Sequence, residues 1–354
     1  MSHPVSSVYA LFVQKKMGPM LSLCLGGLVW LPCSLADAGV LIGPSECQAC
    51  HEDEYRVWEK SKHASSEDFY AREAGKKIAQ AMQLSAVDEQ DNVCWSCHYT
   101  VLDDDGEALP EAGPSCESCH APASDWLVVH SCYGGTSRAH CEQLSEAETD
   151  IKAAAETAEH KIWRQTERVK WGMFPLDNVY KVVENCFKCH TIAQEDVVNT
   201  GGHDVEHDFE LVTWLQGEIR HHFLRSPKNP PNTPAQKRVL YMVGQMVDLE
   251  YSLRALASAK SDGVFSQAMI HSTQSALSKL AQINRLHATV QMSHILKIYN
   301  GIVLAPNQAT ALLEVADAVS VQAQAFGKLY RGKGADFAEI DALIPTKTKG
   351  HALH

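Results

Sequence analysis

Apolar residues at spacings of three and four dominate the C-terminal part of the chain, between residues 234 and 332. This spacing places apolar side chains on one face of an α-helix and therefore predicts helices. Thr233 and Pro234 form a good helix start, with threonine as N-cap and proline at the first helical position. Further helices are predicted over 263–298, either continuous or broken, and from near Asn307 to about Gly332. We interpret this part as an antiparallel bundle of three or four helices.

The preceding part of the chain has shorter apolar patterns, many loops and few strand signals. Helices are predicted over 69–84, over 145–170 from a capping box of Ser145 and Glu148, and from about His207 to His222. A proline-rich stretch then precedes the bundle. The composition predicts a domain over 39–225, a linker over 226–233, the bundle over 234–332 and a frayed tail over 333–354. The expected fold class is mainly α.

The pentad Cys-x-x-Cys-His occurs four times, at residues 47–51, 94–98, 116–120 and 186–190. This pentad is the attachment signature of haem c, in which two thiols add to the porphyrin and the histidine binds the iron. Zinc ribbons and redox disulfides also use Cys-x-x-Cys, but they do not need a histidine after each pair. The sequence therefore predicts four covalently bound haem c groups. They would be held by Cys47, Cys50, His51, Cys94, Cys97, His98, Cys116, Cys119, His120, Cys186, Cys189 and His190.

The N-terminus has the pattern of a secretory signal peptide. Lys15 and Lys16 precede an apolar run over 17–35, and Ala36-Asp37-Ala38 matches a cleavage site before Gly39. The run is short for a membrane span, and a retained anchor is the alternative. We predict cleavage of residues 1–38 and export to the periplasm, where haem c is attached.

Cys132 and Cys141 are left after the pentads and the predicted signal peptide are set aside. An oxidising compartment favours a disulfide between them, and two free thiols are the alternative. The formal net charge of the chain is −12. An acidic surface argues against nucleic acid as a partner. It suits a basic docking partner, although a solvated acidic surface without a partner has the same composition.

Histidines outside the pentads are the candidates for the second axial ligand of each iron. His63 and His130 lie close to the first and third pentads in sequence. In the helix predicted to end at the pair His221 and His222, a helical projection places His222 nearer the middle of the apolar face, with His221 as the fallback. His203 and His207 are four residues apart, and we expect one ligand and one capping or surface histidine. The others are interpreted as structural or polar residues: His140, His160, His271, His287 and His294.

Over about residues 44–225 the chain resembles the tetrahaem cytochrome c-554 family, the periplasmic electron acceptors of hydroxylamine oxidoreductase. The resemblance rests on Trp58-x-x-Ser61-x-His63-Ala64 after the first pentad, an acidic stretch over 88–91 before the second, Gly113-Pro-Ser before the third, and paired histidines after the fourth. It implies distal ligands at His63, at His130 and in the pair His221/His222. It also implies an open iron at the His98 haem, a position that His203 or His207 could fill in this chain.

These patterns predict an electron carrier that relays electrons between redox partners through closely packed haems. The donor would be an oxidoreductase, and the acceptor another cytochrome or a membrane quinone reductase. One alternative is an enzyme that uses open iron at the His98 haem on a small nitrogen species such as hydroxylamine or nitric oxide. Another is a docking subunit of a larger oxidoreductase. No acid–base pair or nucleophile stands out near the pentads, which favours the carrier.

Overall fold

The computed structural model describes residues 39–84, 93–104, 107–145, 148, 153, 155–205 and 209–354. The predicted signal peptide, the acidic stretch over 88–91 and His207 lie outside these residues. The described part is mainly helical, which confirms the predicted fold class. None of its helices is long and apolar enough to cross a membrane.

Short helices separated by loops make up residues 39–225. A hairpin of two antiparallel strands, which pairs Val101 with Pro110 and Leu102 with Leu109, lies between the second and third pentads. The helices and strands are α1 Pro44–Gln48, α2 Glu52–Glu59, a 3-10 helix Ala64–Ala71, α3 Glu73–Ala81, α4 Trp95–His98, β1 Thr100–Asp104, β2 Glu107–Ala112, α5 Cys116–His120, α6 Leu127–His130, α7 Arg138–Cys141, α8 Ala158–Lys170, α9 Val179–His190, α10 Glu195–Asn199, α11 Leu211–Gln216 and a 3-10 helix Phe223–Arg225.

Long helices follow, close to the positions that the periodicity predicts. They are α12 Pro234–Ser258, α13 Val264–Leu286, α14 Val290–Tyr299 and α15 Ala309–Tyr330, with a 3-10 helix at Gly334–Leu343. Thr233 and Gln236 form a capping box at the start of α12. The predicted second helix is broken after Leu286, because His287 adopts an extended backbone and Thr289 caps α14 through the backbone N–H of Met292.

The bundle and the haem-motif region share one hydrophobic core. Tyr180, Val183 and Phe187 of α9 are buried in the same cluster as the apolar faces of α12, α13 and α15. The cluster also takes in Val198 of α10 and residues Leu211 and Val212 of α11. The change of composition at 226–233 therefore does not divide the core into two.

Buried polar contacts also join the two regions. The Tyr180 hydroxyl lies 2.9 Å from Glu250 Oε2 and 2.7 Å from Ser320 Oγ. Glu250 is 1% exposed, and its Oε1 accepts hydrogen bonds from Arg254. Burial raises the pKa of Glu250, while the hydrogen bond from Arg254 acts in the opposite direction. A carboxylate in the bundle thus anchors the helix that carries the fourth pentad.

The tail differs from the frayed segment that its composition predicts. Arg238 on α12 holds Asp341 through two short hydrogen bonds, each 2.6 Å. Beyond it, the backbone N–H of Lys349 donates to Thr213 O at 3.2 Å, and the side-chain amide of Asn229 donates to Leu353 O at 2.7 Å. The tail therefore returns to the haem-motif region and packs there.

Candidate haem-binding sites

Each pentad adopts a helical turn. In the first two pentads the backbone N–H of the histidine donates to the carbonyl of the first cysteine, at 3.0 Å in both His51 and His98. The third pentad is α5, and the fourth forms the C-terminal end of α9. In a helix, positions i, i+3 and i+4 lie on one face. Both thiols and the imidazole of a pentad therefore face the same side, as attachment of one porphyrin requires.

Each pentad histidine faces one histidine from a distant part of the chain. The distances between ring centres are 6.0 Å for His51 and His130, 6.0 Å for His190 and His63, 6.3 Å for His98 and His203, and 6.3 Å for His120 and His221. These separations are too large for direct stacking of the rings. A metal held between two imidazoles separates their centres by about 6.2 Å, from two bonds of about 2.0 Å and roughly 1.1 Å within each ring. The four gaps therefore fit one iron each.

Desolvation within the protein lowers the pKa of five of the paired histidines and keeps these five rings neutral. Burial, aided by nearby positive groups, lowers the pKa of His120 to about 4, that of His130 to about 3 and that of His190 to about 4. Burial also lowers the pKa values of His63 and His98. A neutral imidazole keeps the lone pair that a metal ligand needs.

His63 is held at its position by contacts with the loop before the third pentad. The indole N–H of Trp58 donates to Pro114 O at 2.8 Å. A Cβ atom at Gly113 would lie 2.0 Å from His63 O, so only glycine allows this approach. The motif Trp58-x-x-Ser61-x-His63 therefore has a structural role, because it fixes the backbone of His63 against the segment that leads into α5.

His130 ends α6 and is held from α8. Arg164 donates to His130 O at 2.6 Å, and Arg168 Nη1 lies 3.4 Å from His130 Nδ1. Arg164 is itself bound by Glu156, with contacts of 2.8 and 3.0 Å. The sequence did not single out these arginines, because their role depends on the packing of α8 against α6.

His203 follows a glycine pair that makes a tight turn. Gly202 has φ +72, and a Cβ atom at Gly201 would lie 2.5 Å from Val197 O. The close approach of Gly201 is thus to the end of α10 and to side chains of α3. The turn brings His203 opposite His98.

The preference for His222 over His221 rests on a helix that the chain does not form. Helix α11 ends at Gln216, so the helical projection does not extend to residues 221 and 222. The ring of His221 faces His120. The backbone N–H of His222 donates to the Asn229 side chain at 2.7 Å, and its Nδ1 lies 2.8 Å from Pro230 O.

Thiols of different pentads are neighbours. The Cys47 thiol interacts with that of Cys116, and the Cys97 thiol with that of Cys189. Cys189 Sγ also lies 3.7 Å from Ser96 O, inside the second pentad. The first pentad is therefore adjacent to the third, and the second to the fourth. An electrostatic interaction between Cys119 and Cys186 further connects the third pentad with the fourth.

A cavity of about 480 Å³ lies where the second and fourth pentads meet. Its lining includes His63, His98, His190 and His203, with the cysteines of both pentads. Polar residues of the bundle complete the wall, among them Asp248, Ser252, Ser272, Ser275 and Lys279. The sequence analysis does not predict this polar wall. The pattern that could have indicated it is Asp248 and Ser252, a polar pair four residues apart within the apolar pattern of α12.

The predicted disulfide between Cys132 and Cys141 is present. Beside it, His160 Nε2 lies 2.9 Å from Gly135 O, and His160 Nδ1 lies 2.8 Å from Glu156. These contacts give His160 a structural role in the loop of the disulfide. The three histidines of the bundle are not part of the His–His pairs described above.

Part of the chain is similar in sequence to a known protein family. Residues 46–121 match the family model described as cytochrome c554 and c-prime. The match spans the first three pentads together with His63. No match is found among curated proteins, and none among solved structures. The residues beyond 121, with the fourth pentad and the bundle, lie outside the matched segment. Over residues 46–121 this chain is therefore similar to the cytochrome c554 and c-prime family, which confirms the resemblance drawn from its motifs for that segment.

Proposed function

We propose that this chain is an exported tetrahaem c-type cytochrome that relays electrons between redox partners. The observation that carries the proposal is the set of four His–His gaps, each with a Cys-x-x-Cys-His pentad on one side. Haem c, when bound, supplies reversible one-electron chemistry at iron. The role of the chain is to hold the groups, choose their axial ligands and exclude water from them.

The proposed ligand pairs are His51 with His130, His190 with His63, His98 with His203, and His120 with His221. With these pairs every iron would have two imidazole ligands, which favours low reduction potentials. Under the enzyme hypothesis a small nitrogen species would bind the iron of the His98 haem, and the ring of His203 would occupy that position. Full ligation therefore favours a carrier over an enzyme, and His203 is the residue on which that choice depends.

The thiol contacts support an order of the four sites along a path. The first site is next to the third, the third approaches the fourth, and the fourth is next to the second. We infer that electrons enter or leave near the first and second pentads, at the two ends of this path. The acidic chain suits redox partners with basic docking surfaces. Periplasmic export is part of the proposal and rests on the N-terminal signal pattern.

The first test is the intact mass of the purified protein, which should equal the chain from Gly39 plus four haems. A low-temperature EPR spectrum of the oxidised protein should show only low-spin iron. A mass that fits the apoprotein, with or without zinc, would refute the assignment of the pentads.

The second test separates carrier from enzyme. Nitric oxide added to the reduced wild type should give no rapid spectral change, whereas His203→Ala should bind it at one haem in four. His294→Ala, an exposed histidine of the bundle, is the matched control and should behave as wild type. Rapid binding at one haem of the wild type that His203→Ala does not alter would contradict the proposed ligation and favour the enzyme.

A further inference from the structure

The bundle presents a polar stripe to the cavity between the second and fourth pentads. Asp248 and Ser252 are four residues apart on α12, and Ser272, Ser275 and Lys279 follow at spacings of three and four on α13. Such spacings keep side chains on one helical face. The rest of the buried surface of these helices is largely apolar. A carboxylate and an ammonium group therefore lie at one wall of the cavity that the second and fourth pentads share.

The contacts of Asp248 define its electrostatic setting. Ser252 Oγ donates to Asp248 Oδ1 at 3.4 Å, and Lys279 provides an attractive positive charge from α13. Burial raises the pKa of Asp248 to about 6, and Lys279 opposes part of that rise. The carboxyl group thus titrates closer to neutrality than an ordinary aspartate does.

The cavity wall also carries Asp204, Lys62 and Glu218. The charged group that acts on the pKa of Asp248 is Lys279. On α12 itself, Glu250 is bound by Tyr180 and Arg254, and Arg254 also pairs with Asp317 of α15 at 2.8 Å. Lys279 is therefore the charged group that most directly controls the Asp248 carboxylate.

We propose that the bundle sets the reduction potential of a haem in this cavity, with Asp248 as its redox-linked proton acceptor and Lys279 as the compensating cation. This inference rests on the proposed tetrahaem function. When one electron from an external one-electron donor enters the site, the Asp248 carboxylate takes up one proton from water and becomes a carboxylic acid. Oxidation releases the same electron and the same proton.

The physical reason is the low dielectric of the cavity. One added electron makes the site more negative by one charge, and a carboxylate that lines the same cavity interacts strongly with this charge because screening is weak there. Protonation of Asp248 then relieves the repulsion. Ser252 can serve both states, since a hydroxyl donates to a carboxylate and accepts from a carboxylic acid.

Spectroelectrochemical titration of the four-haem protein between pH 5 and 9 tests the proposal. The titration curve at each pH is fitted with four components, one for each haem. In the wild type one component should become more negative with rising pH, by up to about 59 mV per tenfold fall in proton concentration. Asp248→Asn should remove this dependence. Lys279→Gln should move the same component to lower potential. Asp248→Glu, which keeps the carboxyl group, should retain the pH dependence.

Matched controls are Glu314→Gln and Lys297→Gln, which change exposed charges of the bundle away from the cavity. Haem content and the low-spin spectrum are measured first on every protein. A wild type without four six-coordinate haems refutes the proposed function itself. With four such haems, a pH dependence that persists in Asp248→Asn, or a Lys279→Gln shift no larger than that of Lys297→Gln, overturns the role of the bundle alone. If Asp248→Asn does not fold, the shift of Lys279→Gln relative to that of Lys297→Gln decides by the same criterion.

Discussion

Replacement of Tyr180 by phenylalanine should weaken the attachment of the fourth pentad's helix to the bundle. The Tyr180 side chain is 1% exposed, and its hydroxyl lies within 3.3 Å of Glu184, 2.9 Å of Glu250 and 2.7 Å of Ser320. Phenylalanine fills the same ring volume, so the change removes the hydroxyl without leaving a large cavity. The effect therefore reports on the polar contact itself.

The expected loss follows from the state of Glu250. Its Oε1 keeps the hydrogen bond from Arg254 and the carboxylate keeps Ser320 as a neighbour, but Oε2 loses the Tyr180 hydroxyl inside the protein. A hydrogen bond to a charged group contributes about 1.5–3 kcal/mol, and a buried acceptor left without its donor costs a similar amount. We expect Tyr180→Phe to lower the free energy of unfolding by roughly 2–3 kcal/mol, which is a large part of typical domain stability.

Guanidinium unfolding of the haem-loaded protein measures this loss, with far-UV circular dichroism for the helices and Soret absorbance for the haem sites. Tyr299→Phe in α14 is the control and should change the free energy by less than about 0.5 kcal/mol. Because the core is shared, both signals should report the same transition in the wild type and in Tyr180→Phe. A loss below about 0.5 kcal/mol for Tyr180→Phe, or helices that unfold well before the Soret signal changes, would refute the shared anchor.

Two further predictions concern the distal ligands and acid stability. His221→Ala should convert the third haem to high-spin iron in the EPR spectrum, while His222→Ala should leave all signals low-spin. The reverse pattern would identify His222 as the ligand, as the helical projection predicts. The hydrogen bond from Arg164, with help from His160, lowers the pKa of Glu156 to about 2, below its ordinary value of 4.5. Its stabilising contribution is therefore complete above pH 4.5 and is lost as the pH falls toward 2. Glu156→Gln should be less stable at pH 7 and lose less stability in acid than the wild type; parallel stability curves would contradict this.

The sequence predicts well the features that are local. A pentad contains both thiols and the proximal histidine within five residues, so its chemistry can be read without knowledge of the fold. The long helices follow from apolar periodicity and from the capping residues of α12. The disulfide follows from the two cysteines left over and from the predicted compartment.

The choice among distal histidines could not be predicted from local pattern. His221 lies opposite His120 because the chain leaves the helix after Gln216. A Cβ atom at Gly217 would lie 1.9 Å from Lys349 O, so the backbone there is packed against the returning tail. The deciding contact thus comes from far along the chain. The shared core could not be predicted for the same reason. The composition changes at residues 226–233, but Phe187 before this segment packs against Tyr251 after it.

The four His–His pairs also have a consequence for assembly. In the proposed ligation each pair ties together positions roughly 80 to 130 residues apart, and a loop of that size is costly to close in a flexible chain. The intervals 51–130, 63–190, 98–203 and 120–221 all overlap, so the closed loops interlace as cross-links do in a disulfide-knotted protein. Haem attachment at a pentad needs only the local sequence, but correct distal ligation needs the whole chain. Because the chain has further histidines, an iron can bind a non-native histidine and so close a non-native loop. The order in which the four loops close therefore affects the yield of native protein.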